Sequence, residues 1–395
     1  MQSRFRALPK MVLGLFALLA CSTLLSAQAY QQTNLDSDFS AGSVAPGQSV
    51  HLLNPWGLTA SNTSPWWIAD NNGGVSTLYN GNGALLSVIT ANIPPVVAGM
   101  GTGTPTGVVF TGGIVPPGSK TALPGTTFHF GNNTARFTFV SEDGRISAYA
   151  GGIGVVDALQ IVPANNAVPD PNVGPVYKGA TVAAMTPGGP LFLYVTNFRQ
   201  NKIEVYDNNF NLQNLDDDAF QDRRIPRGFA PFNIQEVNGN LYVTYAKQSG
   251  DKHDDFDAPG LGYVDKFSPT GQLLQRLEHG KWLNAPWGIA LAPPDFGFYS
   301  NHLFVGNAGS GQIAVYDADT GRFDGLLRDN TGANGHALQN DRLWALRFGN
   351  DAGAGPHNWL FFTAGIFGES HGLFGFFTPD PNSSTTVPDD DQDEF

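Results

Sequence analysis

Asn54-Pro55-Trp56-Gly57-Leu58 and Asn284-Ala285-Pro286-Trp287-Gly288-Ile289 are two related stretches that set the phase of the whole chain. Each precedes a strand-like run that ends in small polar residues, Trp66–Asn71 after the first and Leu303–Ala308 after the second. An internal repeat of this length indicates a repeat architecture, in which each unit buries its apolar surface against its neighbours.

Six such units follow one another, each with short strands and Gly-rich turns. They begin near Trp56, Gly107, Val182, Phe232, Trp287 and Trp344. Four-stranded units of about 40–50 residues are typical of β-propeller blades. The 48 Gly and 27 Pro, with 12% aromatic and only 14% charged residues, also favour strands and turns over helices. The sequence therefore predicts an all-β, six-bladed β-propeller over residues 30–378.

The ends of the repeat region predict how the ring closes. The sixth unit stops after its third strand, Gly372–Phe377, and a spare strand-like segment, Tyr30–Leu35, precedes the first unit. We expect this N-terminal segment to supply the outer strand of the last blade, because that arrangement leaves fewer exposed strand edges. The acidic stretch 379–395 is predicted to be a solvated, disordered tail.

Residues 1–29 have the pattern of a secretory signal peptide. Arg4, Arg6 and Lys10 precede the apolar run Met11–Ala20, and Ala27-Gln28-Ala29 offers a cleavage site. The apolar run is too short to predict a transmembrane span. An alternative is a lipid anchor, because Leu18–Cys21 resembles a lipobox that would lead to lipidation of Cys21. We expect a secreted or periplasmic protein, and a monomer.

The charge of the chain bears on its partners. The formal net charge is −13, which argues against nucleic acid as a partner because phosphate backbones bind basic surfaces. Removing the predicted signal peptide would make the charge more negative still, since it contains basic but no acidic residues.

Several motifs together resemble a known family. Asn54–Gly57, Pro231–Gln235, Asn284–Pro293, Leu343–Phe348 and Glu369–Phe374 look like a bacterial family of exported, largely uncharacterised six-bladed propellers, which is similar to NHL-repeat propellers. The resemblance extends over nearly the whole chain after the predicted signal peptide. It implies a six-bladed propeller and export, and it implies no reaction.

The blade phase assigns each loop to one face of the disc. With strands named a to d from the centre outwards, the b–c turns and d–a connections share a face, and we predict ligand binding there. The candidates are polar residues at or near this face: Asn54, Asp70, Glu142, Asn197, Asn233, Tyr245, Asn307, Glu369 and His371.

The recurrent aromatics at the strand starts have two interpretations. Trp56, Phe232, Trp287 and Trp344 are expected to wedge the blades together in the core, and the alternative is a ring that stacks on a ligand. Asn54 and Asn284 are expected to serve turn chemistry beside proline, with donation into the channel as the alternative.

Two features suggest metal or acid–base chemistry. Asp254, Asp255 and Asp257 supply oxygen ligands that suit Ca²⁺, the possible cofactor, although a solvated acidic loop is the alternative. Glu369 and His371 form a carboxylate–imidazole pair, for which a structural hydrogen bond in a turn is the alternative.

Two functions remain open from sequence. The first is a ligand-binding or scaffold module for an extracellular carbohydrate, peptide or small molecule. The second is a calcium-dependent hydrolase of the lactonase or esterase type, in which Asp70, Glu142, Asn197, Asn307 and Glu369 hold a metal that polarises a carbonyl. The sequence has neither a His-Glu-x-x-His zinc motif nor a Gly-x-Ser-x-Gly nucleophile elbow.

Overall fold

The structure is a computed structural model that describes residues 29–40, 44–86, 91–94, 102–116, 118–151, 157–163, 169–331 and 335–383. Residues 1–28 of the predicted signal peptide, including Cys21, lie outside the described residues, as does 384–395 of the predicted tail. The described chain is built from β-strands and one short 3-10 helix, Gly297–Tyr299.

Six antiparallel sheets form the blades of a propeller, as the repeat predicted. The chain begins with β1 (Tyr30–Ser37) and β2 (Gly47–Gln48), which belong to the last blade. Blade one comprises β3 (Pro55–Thr59), β4 (Trp66–Asp70), β5 (Val75–Tyr79) and β6 (Ala91–Asn92). Blade two comprises β7 (Pro105–Phe110), a separate hairpin of β8 (Phe128–Phe130) and β9 (Asn133–Ala135), then β10 (Phe137–Ser141), β11 (Ile146–Tyr149) and β12 (Leu159–Val162).

The remaining blades follow the same order from the centre outwards. Blade three has three strands, β13 (Tyr177–Ala184), β14 (Leu191–Asn197) and β15 (Lys202–Tyr206). Blade four comprises β16 (Phe229–Val237), β17 (Asn240–Lys247), β18 (Gly262–Phe267) and β19 (Leu273–Arg276). Blade five comprises β20 (Pro286–Leu291), β21 (Leu303–Asn307), β22 (Ile313–Tyr316) and β23 (Phe323–Leu326). Blade six comprises β24 (Leu343–Phe348), β25 (Leu360–Ala364) and β26 (Leu373–Pro379), completed by β1.

The predicted closure by the N-terminal strand is confirmed. Strand β1 pairs antiparallel with β26, from Tyr30 opposite Pro379 to Ser37 opposite Leu373. The Tyr30 ring is buried, and its hydroxyl donates to Phe296 O at 3.0 Å and accepts from Tyr299 N at 2.9 Å. The outer edge of β1 is itself partly covered by β2, which pairs with it in parallel. Blade six is therefore built from both ends of the repeat region.

Glycines let the innermost strands of neighbouring blades approach closely. A Cβ added to Gly57 would lie 2.5 Å from the backbone oxygen of Thr106 in blade two, and one added to Gly288 would lie 2.4 Å from Trp344 O in blade six. Both positions are thus restricted to glycine by contact between adjacent inner strands. This contact explains why Gly follows Trp in both copies of the repeated stretch.

Side chains at one equivalent position of the six inner strands meet in the central channel. The ladders place Pro55, Pro105, Tyr177, Pro231, Pro286 and Leu343 opposite the ends of the b strands. The next residues form what we call the hub: Trp56, Thr106, Lys178, Phe232, Trp287 and Trp344. Trp56 stacks on Trp344 with 3.6 Å between ring centroids and lies 6.3 Å from Phe232. The four aromatic rings are buried, so they fill the channel by packing.

The start of unit three was placed wrongly from sequence. Its inner strand begins at Tyr177, and the position equivalent to Trp56 of blade one is Lys178 rather than Val182. In the other four blades, an aromatic residue at the hub position marks the start of the inner strand. Blades two and three lack this marker in the sequence, because they have Thr106 and Lys178 at that position.

Candidate ligand-binding face

The b–c loops of different blades contact one another around the end of the channel. Asn71 Nδ2 in blade one donates to Glu142 Oε2 in blade two at 2.9 Å. Asn72 Nδ2 donates to the backbone oxygen of Glu369 in blade six at 2.7 Å. We call the polar residues that gather here the channel mouth: Asn54, Glu142, Lys178, His253, Asp254, Asp255, Asp257, Arg342 and Glu369.

Lys178 connects the hub to the channel mouth. Its side chain is 1% exposed, and its Nζ lies 5.0 Å from the Trp56 ring centroid. It donates to Glu142 Oε1 and lies 3.5 Å from Asp254 Oδ1. Burial opposes the charged ammonium, but the carboxylates of Glu142 and Asp254 outweigh it, and the pKa of Lys178 is raised. Lys178 is therefore a buried cation that is held charged by two acidic side chains.

Arg342 forms a second charged centre on the opposite side of the mouth. Its guanidinium contacts Asp255 Oδ2 at 3.1 Å, Asp257 Oδ2 at 3.1 Å and Glu369 Oε1 at 3.0 Å. Burial, followed by the neighbouring Asp255, raises the pKa of Asp257 to about 7 despite Arg342. Glu369 also accepts from Asn54 Nδ2 at 3.0 Å, while Asn54 Oδ1 accepts from Trp344 Nε1 at 3.0 Å. A chain of contacts thus joins this centre to the hub.

The long b–c loop of blade four, residues 248–261, reaches both charged centres. Asp254 contacts Lys178 of blade three, and Asp255 and Asp257 contact Arg342 of blade six. We call this loop the strap. Five carboxylates of the mouth (Glu142, Asp254, Asp255, Asp257 and Glu369) face two cationic side chains, so the mouth carries an excess of negative charge. Asp254 is the most accessible of these carboxylates, with 64% of its side chain exposed.

Three of the predicted face residues lie inside their own blades. Asp70 is fully buried, and its Oδ2 accepts from the Thr77 hydroxyl at 2.7 Å. Burial raises the pKa of Asp70 well above its ordinary value. Asn197 Nδ2 donates to Glu204 Oε1 at 2.8 Å, and Asn307 Oδ1 accepts from Asn284 N at 2.8 Å. These side chains hold the ends of the b strands rather than reaching the mouth.

Three further predicted residues occupy different places. Tyr245 is buried in blade four. Asn233 lies in the inner strand β16, where its Nδ2 donates to Trp287 O at 2.7 Å. His371 lies on the predicted face, and its Nδ1 is 2.6 Å from Asp38 Oδ2 of the d–a connection. Its imidazole pairs with Asp38, and among the described residues no ion pair joins it to Glu369.

Glu142 and Glu369 are therefore the two members of the predicted five-residue metal set that reach the mouth. Glu142 differs from Asp70, Asn197 and Asn307 because it is one residue beyond the strand end, where Ser141 pairs with Pro105. A different group comes together instead: ligand atoms of Glu142, His253 and Asp254 lie within 4.8 Å of one another. The Lys178 ammonium contacts two members of this group, and its charge would repel a metal ion bound there.

The sequence reading missed Lys178 and Arg342. A signal existed for each. When Gly179 is aligned with Gly57, Lys178 falls at the position of Trp56. Arg342 directly precedes the last inner strand, as Asn54 precedes the first. Asn54 and Arg342 share a left-handed backbone, with φ of 47° in each case.

Sequence comparison finds relatives in a virus. The chain is 35% identical over 147 residues to the uncharacterized protein R640 of Acanthamoeba polyphaga mimivirus, which is 36% of this chain and 27% of that protein. It is 29% identical over 288 residues to the uncharacterized protein L690 of the same virus, which is 71% of this chain and 70% of that protein. The chain thus spans about a quarter of the first relative. No protein-family model matches the chain.

These relatives do not support the bacterial origin and the export that the family resemblance implied. They are mimivirus proteins whose names give no activity. The six-bladed propeller that the resemblance also implied is present in the structure.

Structural comparison supports the fold. A protein of unknown function from Bacteroides thetaiotaomicron superimposes with a TM-score of 0.50 at 10% identity, covering 89% of this chain and 76% of that chain. A virginiamycin B lyase from Staphylococcus aureus gives a TM-score of 0.45 at 10% identity, covering 88% and 98% of the two chains. Likenesses this distant carry no argument about a reaction.

Across the described residues, the structure has no helix with the length and apolar character needed to cross a membrane.

Proposed function

We propose that this protein is a ligand-binding or interaction module whose ligand presents a positively charged amine to the channel mouth. The observation that carries the proposal is the excess of carboxylates at the mouth, three of which lie on the strap. A peptide with lysine side chains is a ligand of this chemistry. The sequence predicted ligand binding somewhere on the face formed by the b–c turns and d–a connections. We propose that the ligand binds at the centre of this face, at the channel mouth.

The charges of the mouth are arranged for recognition at the surface. Lys178 and Arg342 lie beneath the strap, 1% and 22% exposed, and each neutralises part of the acidic cluster from within. Asp254, at 64% exposure, remains accessible to solvent above Lys178. An amine that approaches this carboxylate gains a charge-assisted hydrogen bond without displacing the buried pair.

The test uses a trilysine peptide as probe in isothermal titration calorimetry. Wild-type protein is expected to bind it with an affinity that falls as salt is raised, because surface charge pairs are screened. Asp254→Asn and Glu369→Gln should each weaken binding by roughly three- to tenfold, which corresponds to about 0.7–1.4 kcal/mol.

Asp319→Asn is the matched control. Asp319 is exposed in the c–d turn of blade five, on the face opposite the mouth, so its removal changes net charge equally without touching the site. If Asp319→Asn and Asp254→Asn weaken trilysine binding equally, the affinity depends on net charge alone, and the proposal is contradicted.

A calcium-dependent hydrolase is the second candidate, favoured by the convergence of Glu142, His253 and Asp254, the one group of this kind in the part of the chain that the structure describes. Oxygen ligands suit Ca²⁺, but Lys178 would have to leave its place between the carboxylates. Metal analysis of the purified protein, with unfolding followed in calcium and in chelator, tests this candidate. Bound calcium together with a midpoint that chelator lowers would favour it over the amine-binding module.

Export remains part of the proposal. The signal-like pattern of residues 1–29 supports it, and the first strand begins at Tyr30, directly after the predicted cleavage site. A monomeric state and the acidic tail are proposed with it. The sequence placed the boundary between propeller and tail after residue 378, but β26 extends to Pro379 and Asp380 is buried, with its N–H donating to Ala29 O. The intact mass of the protein recovered from an expression host distinguishes cleavage after Ala29 from lipidation at Cys21 and from retention of the whole N-terminus.

A further inference from the structure

A second polar centre lies in the central channel, on the other side of the hub from the mouth. A cavity there is lined by the inner strands of all six blades, including Gly57, Val108, Ala180, Gln235, Ile289 and Arg347. Trp287 of the hub forms part of its wall. Because the hub fills the channel on the mouth side, the cavity connects toward the opposite face.

Arg347 supplies the charge in this cavity. It lies in β24, three residues beyond Trp344, where it is half-buried and lines the cavity. Burial lowers its pKa to about 10, and Glu236 of blade four opposes that effect.

No carboxylate within the described ranges forms an ion pair with Arg347, and no described acceptor takes a hydrogen bond from it. Glu236 Oε1 instead accepts from Gly239 N at 2.6 Å. Lys178 and Arg342 show the contrast, since two and three carboxylates respectively contact them. Arg347 is half-buried and lines the cavity, so an acceptor for its guanidinium is expected from a species that enters the cavity.

We propose that the cavity is an anion site, in which Arg347 holds one small monovalent anion. The anion is chloride or a carboxylate of formate size, which enters from the face opposite the mouth. This site is separate from the amine site of the mouth, and neither proposal depends on the other.

The channel can accommodate a small anion beside Arg347. Each inner strand is paired on one side only, so its free edge carries unpaired backbone N–H and C=O groups, of which the N–H groups can donate to an anion. The cavity volume is about 20 Å³, and a water-sized species needs roughly 10–15 Å³. The cavity therefore has the size of a halide or a formate-sized group, and we expect it to bind such an anion in preference to a larger organic acid.

Thermal unfolding in different sodium salts at constant ionic strength tests the site. The midpoint of wild-type protein is expected to rise with the logarithm of chloride or formate concentration when either replaces gluconate, because a ligand that binds the folded state stabilises it. Succinate should give no such rise. A rise with chloride alone identifies a halide site, and a rise with formate extends the site to carboxylates.

The matched variants are Arg347→Met and Arg322→Met. Arg322 is 75% exposed in blade five, so its variant should keep the wild-type response, while Arg347→Met should lose it. The same response in Arg347→Met and wild type, or no anion-specific response in wild type, would overturn the proposal.

A bromide soak of wild-type crystals gives a readout that does not depend on the folding of a variant. An anomalous peak within hydrogen-bond distance of the Arg347 guanidinium is expected. Water density alone at this place, without an anomalous peak, would overturn the anion site.

Discussion

At the scale of single residues, Lys178 shows how one substitution changes a repeated packing position into a charged one. Trp56 and Trp344 at equivalent positions contribute aromatic packing, whereas Lys178 packs its stem in the same hub and carries its ammonium to Glu142. The ammonium also lies over the Trp56 ring, where the ring quadrupole attracts it. The stability of the hub and the charge of the mouth are thus coupled through this residue.

Lys178→Met is expected to lower the free energy of unfolding by about 3–5 kcal/mol, because it leaves the 11% exposed Glu142 without its cation. The double variant Lys178→Met/Glu142→Gln should recover a large part of this loss. Urea unfolding measures both values. Lys202→Met is the control, since Lys202 is 47% exposed and should cost at most about 1 kcal/mol. A loss for Lys178→Met no greater than that of the control would contradict this account of the hub.

At the scale of elements, the inner strands are spaced by glycine and the blades differ in what they bury. Gly57 leaves no room for a side chain against β7.

Blade four encloses Asp265 in its third strand, completely buried. Arg276 Nε lies 3.6 Å from Asp265 Oδ1, yet neither carboxylate oxygen of Asp265 has a hydrogen-bond partner in the described chain. Burial therefore raises the pKa of Asp265 to about 7.

Gly57→Ala is expected to lower the free energy of unfolding by about 1–3 kcal/mol or more, because its Cβ would meet backbone atoms of blade two. Gly250→Ala is the control, since nothing lies within 4 Å of a Cβ at that exposed position of the strap. Chemical unfolding compares the two variants. Equal stability of both would mean that the inner strands can separate without cost.

Asp265 is expected to make the protein less stable as pH rises. An unfolded Asp ionises near pH ~3.9, whereas the folded carboxyl holds its proton up to about pH 7. Between these values the folded state binds the extra proton, so the free energy of unfolding falls as pH increases. Asp265→Asn should reduce this fall by up to about 1.4 kcal/mol per pH unit, as seen in urea unfolding across this range. An unchanged pH dependence in Asp265→Asn, matching that of the control Asp319→Asn, would show that Asp265 is ionised when folded.

At the scale of the whole molecule, the ring depends on a strand from the far end of the chain. Strand β1 completes blade six and anchors Tyr30 between β26 and the Phe296–Tyr299 segment of blade five. Such a contact joins the two ends of the repeat region. It is the reason that six separate sheets form one closed disc.

Tyr30→Ala is expected to destabilise the whole propeller by about 3–5 kcal/mol, as for truncation of a buried aromatic side chain. Gln31→Ala, at an exposed neighbouring position of the same strand, should cost less than about 1 kcal/mol. Amide hydrogen exchange in blades one and six should accelerate together in Tyr30→Ala. Acceleration confined to β1 would show that closure is local and that the ring is stable without it.

The fold was predictable because its signal is repeated. The phase of Trp56 and Trp287, the missing strand of the last unit and the spare segment at Tyr30 all point to one closed ring. The mouth was harder to predict. Its ion pairs join residues far apart in sequence, such as Lys178 with Asp254 and Arg342 with Asp255. Periodicity contains no information on which loop crosses the channel.

The direction of individual side chains also limited the prediction of the site. At the end of a b strand, one residue of offset separates Asp70, which turns into its blade, from Glu142, which turns to the mouth. Blades one and two have the same register shift at this place, and Ser141 pairs with Pro105 as Asp70 pairs with Pro55, so Glu142 corresponds to Asn71. Sequence alone does not align the blades to within one residue.

The most direct test of the central claim is to map where trilysine binds, by hydrogen–deuterium exchange with and without the peptide. The amine-binding account predicts slower exchange in the strap, residues 248–261, and in the 365–372 loop of blade six, with no change in the c–d turn that contains Asp319. The protection should disappear in Asp254→Asn. Protection on the c–d turns, or equal protection in wild type and Asp254→Asn, would contradict the account.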